Sequence, residues 1–208
     1  MHHTKNKEMK LFLMLIIGMC YSSQSNGQSN EIQELAQNKV NIFSSKGLTK
    51  SRGLIFSLKY PASYSQEEHS NQNVVMQFVD NMRYNMIMNV GVVQVPNIIS
   101  KEREITILSK VNLQTSVQTV SNDAIFIGYK TNFTVNRKNA SYLEYISLVS
   151  AAYKTIIRQY FIVYKNYFIT MSFSIPVFPN STLEKTKIKF QNFKPVFEKI
   201  VNTFSTSN

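Results

Sequence analysis

The sequence predicts an α+β fold, in which an antiparallel β-sheet packs against a small number of amphipathic helices. Between residues 53 and 176, apolar and polar residues alternate in several short runs, which is typical of half-buried strands. Apolar residues recur at helical spacing near residues 31–43 and 190–204. With 208 residues, the chain is about one domain long and can bury a core without metal or disulfide cross-links.

The first 25 residues have the pattern of a secretory signal peptide. Lys5, Lys7 and Lys10 precede an apolar run over residues 11–20, and a Ser/Gln/Asn-rich segment follows. This run is shorter than the roughly 20 apolar residues that a membrane-spanning helix requires. We therefore predict a signal peptide over 1–25 and a single exported domain over 26–208, in the periplasm or outside the cell.

Cys20 is the one cysteine of the chain, and its pattern has two interpretations. Residues 17–19 resemble a lipobox, in which case Cys20 is lipidated and anchors the domain to a membrane. Met19 departs from that pattern, where a small residue is usual, and the alternative is ordinary cleavage near Gln24 without membrane contact. In both cases the exported body has no thiol, which excludes disulfides, cysteine-ligated metals and a cysteine nucleophile.

The exported domain is strongly basic. Removing residues 1–25 takes away three lysines and one glutamate, which lowers the formal net charge from +11 to +9. The lysines and arginines do not cluster: the densest groups, at residues 46–52 and 185–189, hold three charges each. A solvated basic surface therefore explains the charge better than a binding surface for nucleic acid, and we expect no nucleic-acid partner.

In the first half of the body, hydrophobic spacing predicts one helix, one strand and one hairpin. The helix covers 31–43 after an Asn30 cap, and the strand covers 54–60. Pro61 stops that strand because proline has no N–H for the ladder. A polar loop over 63–73 leads to a hairpin with strands near 74–78 and 86–92, whose turn opens at Asp80-Asn81.

In the second half, a helix, a strand and a long β-prone stretch precede a closing helix. Ser100 caps a helix over about 101–112, and a strand over 125–135 turns at residues 137–139. The stretch 141–175 is too long for one strand and must fold back, at Lys165-Asn166 and near residues 150–152. The closing helix runs to Phe204, with Pro195 in its first turn.

Few side chains of the body are suited to catalysis. His69 is its one histidine, and no G-x-S-x-G motif is present. Glu67, Glu68 and His69 are neighbours whose side chains diverge in a helix or strand, so an exposed polar loop explains them better than a metal site. We predict no catalytic site, no metal, no cofactor and no enzymatic activity.

Glu144 and Arg158 form the most specific polar pair in the sequence. A reversal centred on Ala151 places them opposite each other on paired strands that are otherwise aromatic and aliphatic, where they can form an ion pair. With Tyr142 and Tyr160 around it, the pair would line a polar spot in a ligand cleft. The alternative is a purely structural ion pair, which is the more common case.

Residues 53–64, with the sequence GLIFSLKYPASY, resemble the opening strand of the PsbP/Mog1-like family, and Tyr64 stands where that family usually has tryptophan. Residues 167–176 and 193–204 resemble its last strand and closing helix. The resemblance implies an α/β/α sandwich around an antiparallel sheet, often exported or lipid-anchored in bacteria, and it brings no catalytic residue. A cystatin-like or NTF2-like curved sheet is the alternative fold.

Two functional hypotheses lead, ahead of a third, a weak hydrolase that would rest on His69. The first is a non-enzymatic exported accessory or protein-binding domain of the PsbP-like type, whose partner is another envelope protein. The second is a carrier of an apolar or lipid-like ligand held between the sheet and a helix. Methionine adapts to irregular ligands, and the carrier would use Met76, Met86 and Met88 together with the tyrosines.

Overall fold

The computed structural model describes residues 29–80, 86–150 and 153–207 of the chain. Its helices are α1 (Ser29–Ala36), α2 (Lys101–Ile107), α3 (Lys110–Val120) and α4 (Leu183–Asn202). Its strands are β1 (Val40–Ser44), β2 (Phe56–Pro61), β3 (Ser65–Glu67), β4 (Val74–Val79), β5 (Ile87–Gln94), β6 (Ile125–Val135), β7 (Lys138–Ser150), β8 (Tyr153–Tyr164), β9 (Tyr167–Val177) and β10 (Ser205–Thr206). The predicted signal peptide and Cys20 lie outside these ranges.

The strands form two antiparallel sheets. Seven strands pair in the order β3-β4-β5-β9-β8-β7-β6, and a smaller sheet has the order β1-β2-β10. The hairpin between β8 and β9 turns at Lys165, whose φ of 56° is the left-handed geometry of a tight two-residue turn. It pairs Tyr164 with Tyr167 and Ile162 with Ile169, so the predicted register is confirmed.

Hydrophobic clusters lie on both faces of the seven-stranded sheet. On one face, α4 and the small sheet bury the larger cluster, where the rings of Phe173 and Phe197 stack with centroids 4.6 Å apart. On the other face, Leu113 and Val117 of α3 pack with Leu143 of the sheet. The predicted α+β class, with an antiparallel sheet between helical layers, is confirmed. No helix within the described ranges is long and apolar enough to cross a membrane.

The predicted helix over 31–43 is wrong in its second half. The helix ends at Ala36, and Asn38 has a φ of 56°, which breaks it. Residues from Val40 onward then form β1, in which Phe43 pairs with Leu58 of β2. The apolar spacing of this stretch fits a helix as well as a strand, and the pairing with β2 decides between them.

Three other elements differ from their predicted form. The helix predicted near 101–112 is two helices, because Ser100 caps α2 and Ser109 caps α3, each through its hydroxyl. The loop predicted over 63–73 contains β3, which pairs with β4. Pro195 does not lie in the first turn of the closing helix, because α4 begins at Leu183 after a Thr182 cap, and the proline is therefore interior.

Candidate binding cleft beside the Arg158 network

Glu144 of β7 and Arg158 of β8 are cross-strand partners, as the sequence predicts. The guanidinium Nη2 lies 2.5 Å from Oε1 of Glu144, and Nε donates to the same oxygen at 2.8 Å. Glu144 is 5% exposed and Arg158 is 2% exposed. The pair is therefore a largely desolvated ion pair, in which two guanidinium nitrogens contact one carboxylate oxygen, on the face of the sheet that α4 covers.

Side chains of α4 and β8 contact this ion pair and extend it into a hydrogen-bonded network. Nη1 of Arg158 lies 3.1 Å from Oε1 of Glu198 and donates to the hydroxyl of Tyr160, also at 3.1 Å. Lys194 contacts the Glu144 carboxylate at 2.9 Å. Two cations thus face two carboxylates, and the buried charges are balanced. Such balance matters because an unpaired buried charge is strongly destabilising.

Gly128 provides the space that the Glu144 carboxylate occupies. It pairs with Glu144 across β6 and β7, and a Cβ at this glycine would lie 2.7 Å from Oε2 of Glu144. Sequence reasoning missed this role. The one available signal is a glycine inside an otherwise β-prone run, which often marks close approach of another group.

Aromatic rings surround the guanidinium. Cζ of Arg158 lies 4.4 Å from the ring centroid of Tyr142, which is itself 5.4 Å from the ring of Tyr160 and 5.9 Å from that of Phe133. Burial raises the pKa of both Tyr142 and Tyr160, although the neighbouring Arg158 opposes the shift. Both phenols therefore stay protonated at neutral pH, and the Arg158 stack holds Tyr142 in one orientation.

A cleft of about 440 Å³ opens beside this network, between β6, β7 and the C-terminal half of α4. Tyr142 and Tyr160 lie in its wall, whereas Glu144 and Arg158, predicted to line a cleft with them, are not among its lining residues, and Arg158 contacts both tyrosines from the buried side. The cleft is lined by Lys130, Asn132, Phe133, Thr134, Tyr142, Tyr160, Glu198, Val201 and Asn202. We call this feature the Tyr142 cleft. Sequence reasoning did not find its α4 side.

The methionines named in the carrier hypothesis do not line the Tyr142 cleft. Met86 and Met88 are 0% exposed and pack in the larger hydrophobic cluster, and Met76 is half-buried against that cluster. Met88 of β5 and Met86 just before that strand are core residues, and Met76 of β4 packs against the core. Carriage of an apolar ligand stays a prediction.

His69 lies in a polar segment away from the cleft. Its Nδ1 accepts a hydrogen bond from the Asn71 N–H at 3.0 Å, and its carbonyl accepts one from Lys50. These local hydrogen bonds to the backbone are typical of a histidine that stabilises a loop. Among the residues that the structure describes, no three His, Cys, Asp or Glu side chains are grouped to hold a metal ion.

Solved structures with a similar fold were found by structural comparison. The solution structure of cyanobacterial PsbP (CyanoP) from Synechocystis sp. PCC 6803 superposes with a TM-score of 0.54 and 14% sequence identity, covering 81% of this chain and 92% of that one. The chain has a PsbP-like fold. The predicted resemblance to the PsbP/Mog1-like family is thereby confirmed at the level of the fold. The PsbP-like fold is preferred to the cystatin-like or NTF2-like alternative.

A second similar structure is LpqN, described as involved in cell envelope biogenesis of Mycobacterium tuberculosis. It superposes with a TM-score of 0.49 and 9% identity, covering 84% of this chain and 95% of that one. No family model and no curated protein sequence matches the chain. The PsbP-like fold therefore transfers no residue role, and any function has to come from the local geometry.

Proposed function

We propose that this chain is an exported, non-enzymatic accessory domain that binds another protein of the cell envelope through the Tyr142 cleft. Export is supported by the signal-peptide pattern of residues 1–25. Binding is supported by one observation above the others: a half-buried tyrosine stands in an open cleft and is held there by a buried arginine.

The chemistry of the cleft suits a protein partner. Tyrosine and arginine are enriched among the residues that dominate binding energy at protein interfaces, where aromatic anchors sit in pockets. A ring that is already fixed loses little conformational freedom on binding, which favours affinity. Lys130 and Glu198 at the cleft add one charge of each sign, which would orient a partner segment with complementary charges.

Because the chain has one cysteine, Cys20, a second cysteine can be introduced at a chosen position for site-specific crosslinking. Thr134, which is exposed and lines the cleft, is changed to Cys and loaded in cells with a thiol-reactive photocrosslinker. The matched control is Ile188→Cys, at a 63% exposed position of α4 outside the cleft. The unmodified chain, with Cys20 alone, is the blank. We expect one discrete protein adduct from the Thr134→Cys chain and none from the other two.

Dependence on the anchor tests the proposal further. Adding Tyr142→Ala to Thr134→Cys should abolish the adduct, and it should weaken binding to the purified adduct partner at least roughly tenfold, as expected for an aromatic hot spot. Unchanged thermal unfolding and a cleaved leader in the exported fraction must accompany that loss. Equal adducts from Ile188→Cys, or binding indifferent to Tyr142→Ala, would exclude the cleft as the interface.

A further inference from the structure

The opposite face of the seven-stranded sheet carries a second groove. Helix α3 covers the β6–β7–β8 side of that face and leaves part of β5, β9 and β8 open. The space between α3 and the open strands is about 400 Å³, which lies within the range of small-molecule sites, about 300–1,000 Å³. It lies across the sheet from the Tyr142 cleft and shares none of its lining residues.

Neutral polar side chains form a row across the floor of this groove. Asn89 pairs with Ser172, and Ser172 pairs with Gln159, so the three lie side by side on β5, β9 and β8. On the next strand, Gln77 pairs with Asn89 and donates to its Oδ1 at 2.9 Å. Gln77 extends the row beyond the lining of the groove, and with strands about 4.8 Å apart the three lining side chains span about 10 Å.

The groove contains no charged side chain. None of its fourteen lining residues is Asp, Glu, Lys, Arg or His, although 17% of the chain is charged and about two would be expected at random. Its one phenol, Tyr145, donates to Oε1 of Gln159 at 2.8 Å, and burial raises the pKa of Tyr145 to about 12. A sheet face that is simply exposed to solvent usually carries lysines and glutamates. The lining of this groove has neither.

This lining restricts the chemistry of a ligand. An ion would lose its hydration without gaining a counter-charge, and a purely apolar ligand would leave the amides and hydroxyls without hydrogen bonds. Apolar surface is nevertheless present, from the half-buried Phe168 and Ile157 on the floor and from Val120, which is 91% exposed at the α3 rim. A suitable ligand therefore combines many uncharged hydroxyls with small apolar faces.

We infer that this groove is a binding site for a neutral saccharide. Sugar hydroxyls donate to and accept from the row Asn89–Ser172–Gln159, and the C–H faces of the sugar rings pack on Phe168 and Ile157. The inference goes beyond the proposed protein-binding function and does not depend on it, because it uses the other face of the sheet.

The test is a titration of the isotope-labelled chain, in which NMR records the chemical shifts of the backbone amides. The ligands are three neutral trisaccharides: maltotriose, cellotriose and N,N′,N″-triacetylchitotriose. The fully deacetylated, cationic chitotriose serves as the charged counterpart. We expect at least one neutral sugar to bind with a millimolar or lower Kd and to shift amides of β5, β9 and β8. The cationic sugar should not bind.

Two variants link the shifts to the groove. Gln159→Glu keeps the size of the side chain but adds a charge and removes the amide donor, and it should weaken saccharide binding roughly tenfold or more. Gln191→Glu makes the same change at an exposed position of α4 on the other face, and it should leave the Kd unchanged. Ser172→Ala, a smaller perturbation, should weaken binding in the same direction.

The inference is overturned if none of the three neutral sugars shifts the β5, β9 and β8 amides at millimolar concentration. It is also overturned if the cationic sugar binds equally well, or if Gln159→Glu and Gln191→Glu have the same effect. Loss of Tyr142-dependent crosslinking would leave these titrations unaffected, so the two proposals fail separately.

Discussion

Gly128 and Glu144 show how a single missing side chain makes room for a buried charge. The carboxylate of Glu144 lies against the glycine and accepts contacts from Arg158 on one side and Lys194 on the other. Because the carboxylate is desolvated, its stability depends on keeping both cations at hydrogen-bonding distance. A methyl group at residue 128 would therefore disturb the geometry of the network as well as the packing.

Gly128→Ala should lower the free energy of unfolding by about 1–3 kcal/mol, because the new Cβ would lie 2.7 Å from Oε2 of Glu144. Urea unfolding of both chains measures this. Ile127→Ala, at the neighbouring 41% exposed residue, is the control and should change stability by about 0.5 kcal/mol or less. Equal stability of Gly128→Ala and the unmodified chain would show that the carboxylate relaxes freely.

The two halves of the network differ in how far the sequence predicts them. Glu144 and Arg158 could be paired from sequence because period-two alternation and one turn position fix the register of adjacent strands. Glu198 and Lys194 could not, because they reach the pair from α4, and the rotation of a helix over a sheet is set by packing between distant segments. The Tyr142 cleft depends on that packing too, so its outline was not predictable.

Helix α4 tolerates an interior proline. Pro195 has no N–H to donate to the carbonyl of Gln191 one turn earlier, and its ring crowds that carbonyl. The helix continues to Asn202 because its apolar face, including Phe193, Val196 and Phe197, is buried against the sheet and the small sheet. Tertiary packing therefore outweighs the local preference of proline.

Pro195→Ala should raise the stability of the fold by about 1–3 kcal/mol, because alanine restores the backbone hydrogen bond and removes the steric clash. This range allows for an opposing effect, because proline restricts the unfolded chain more than alanine does. Thermal and urea unfolding measure the change. Lys199→Ala, an exposed substitution in the same helix, is the control for helix propensity alone. A decrease in stability with Pro195→Ala would mean that the core requires the bend imposed by proline.

The strand pairings that the sequence predicts correctly join strands that follow one another along the chain. The hairpins β4–β5 and β8–β9 follow from alternation and turn residues, which are local signals. Residues 40–43 are wrongly predicted as helix, because their partner strand, β2, lies beyond a loop and its pairing is a long-range choice. Local spacing cannot make that choice.

The fold buries phenols in both of its hydrophobic clusters. Burial raises the pKa of Tyr64 in the larger cluster, with the carboxylate of Glu31 adding to the shift, and burial raises that of Tyr145 in the smaller one to about 12. A raised folded-state pKa adds stability that is complete below pH 10 and is lost as the pH rises through the folded value. The fold should therefore weaken at alkaline pH.

Tyr145→Phe isolates one of these phenols. The unmodified chain should lose about 2–3 kcal/mol through Tyr145 between pH 10 and 12, and Tyr145→Phe should show a correspondingly shallower decline over that interval. Urea unfolding at a series of pH values gives both slopes. Tyr129→Phe, which removes a 53% exposed phenol, is the matched control. Parallel declines for the unmodified chain and Tyr145→Phe would contradict the assignment.

The small sheet has a consequence for the order of events during synthesis. Ser205 and Thr206 pair with β2, the hydroxyls of Ser57 and Ser205, 148 positions apart, lie 2.8 Å from each other, and Phe204 is fully enclosed. During synthesis, β10 cannot pair with β2 until the chain has been translated through Thr206. Of the two sheets described, the small one is therefore the later to be completed, because every strand of the seven-stranded sheet ends by Val177.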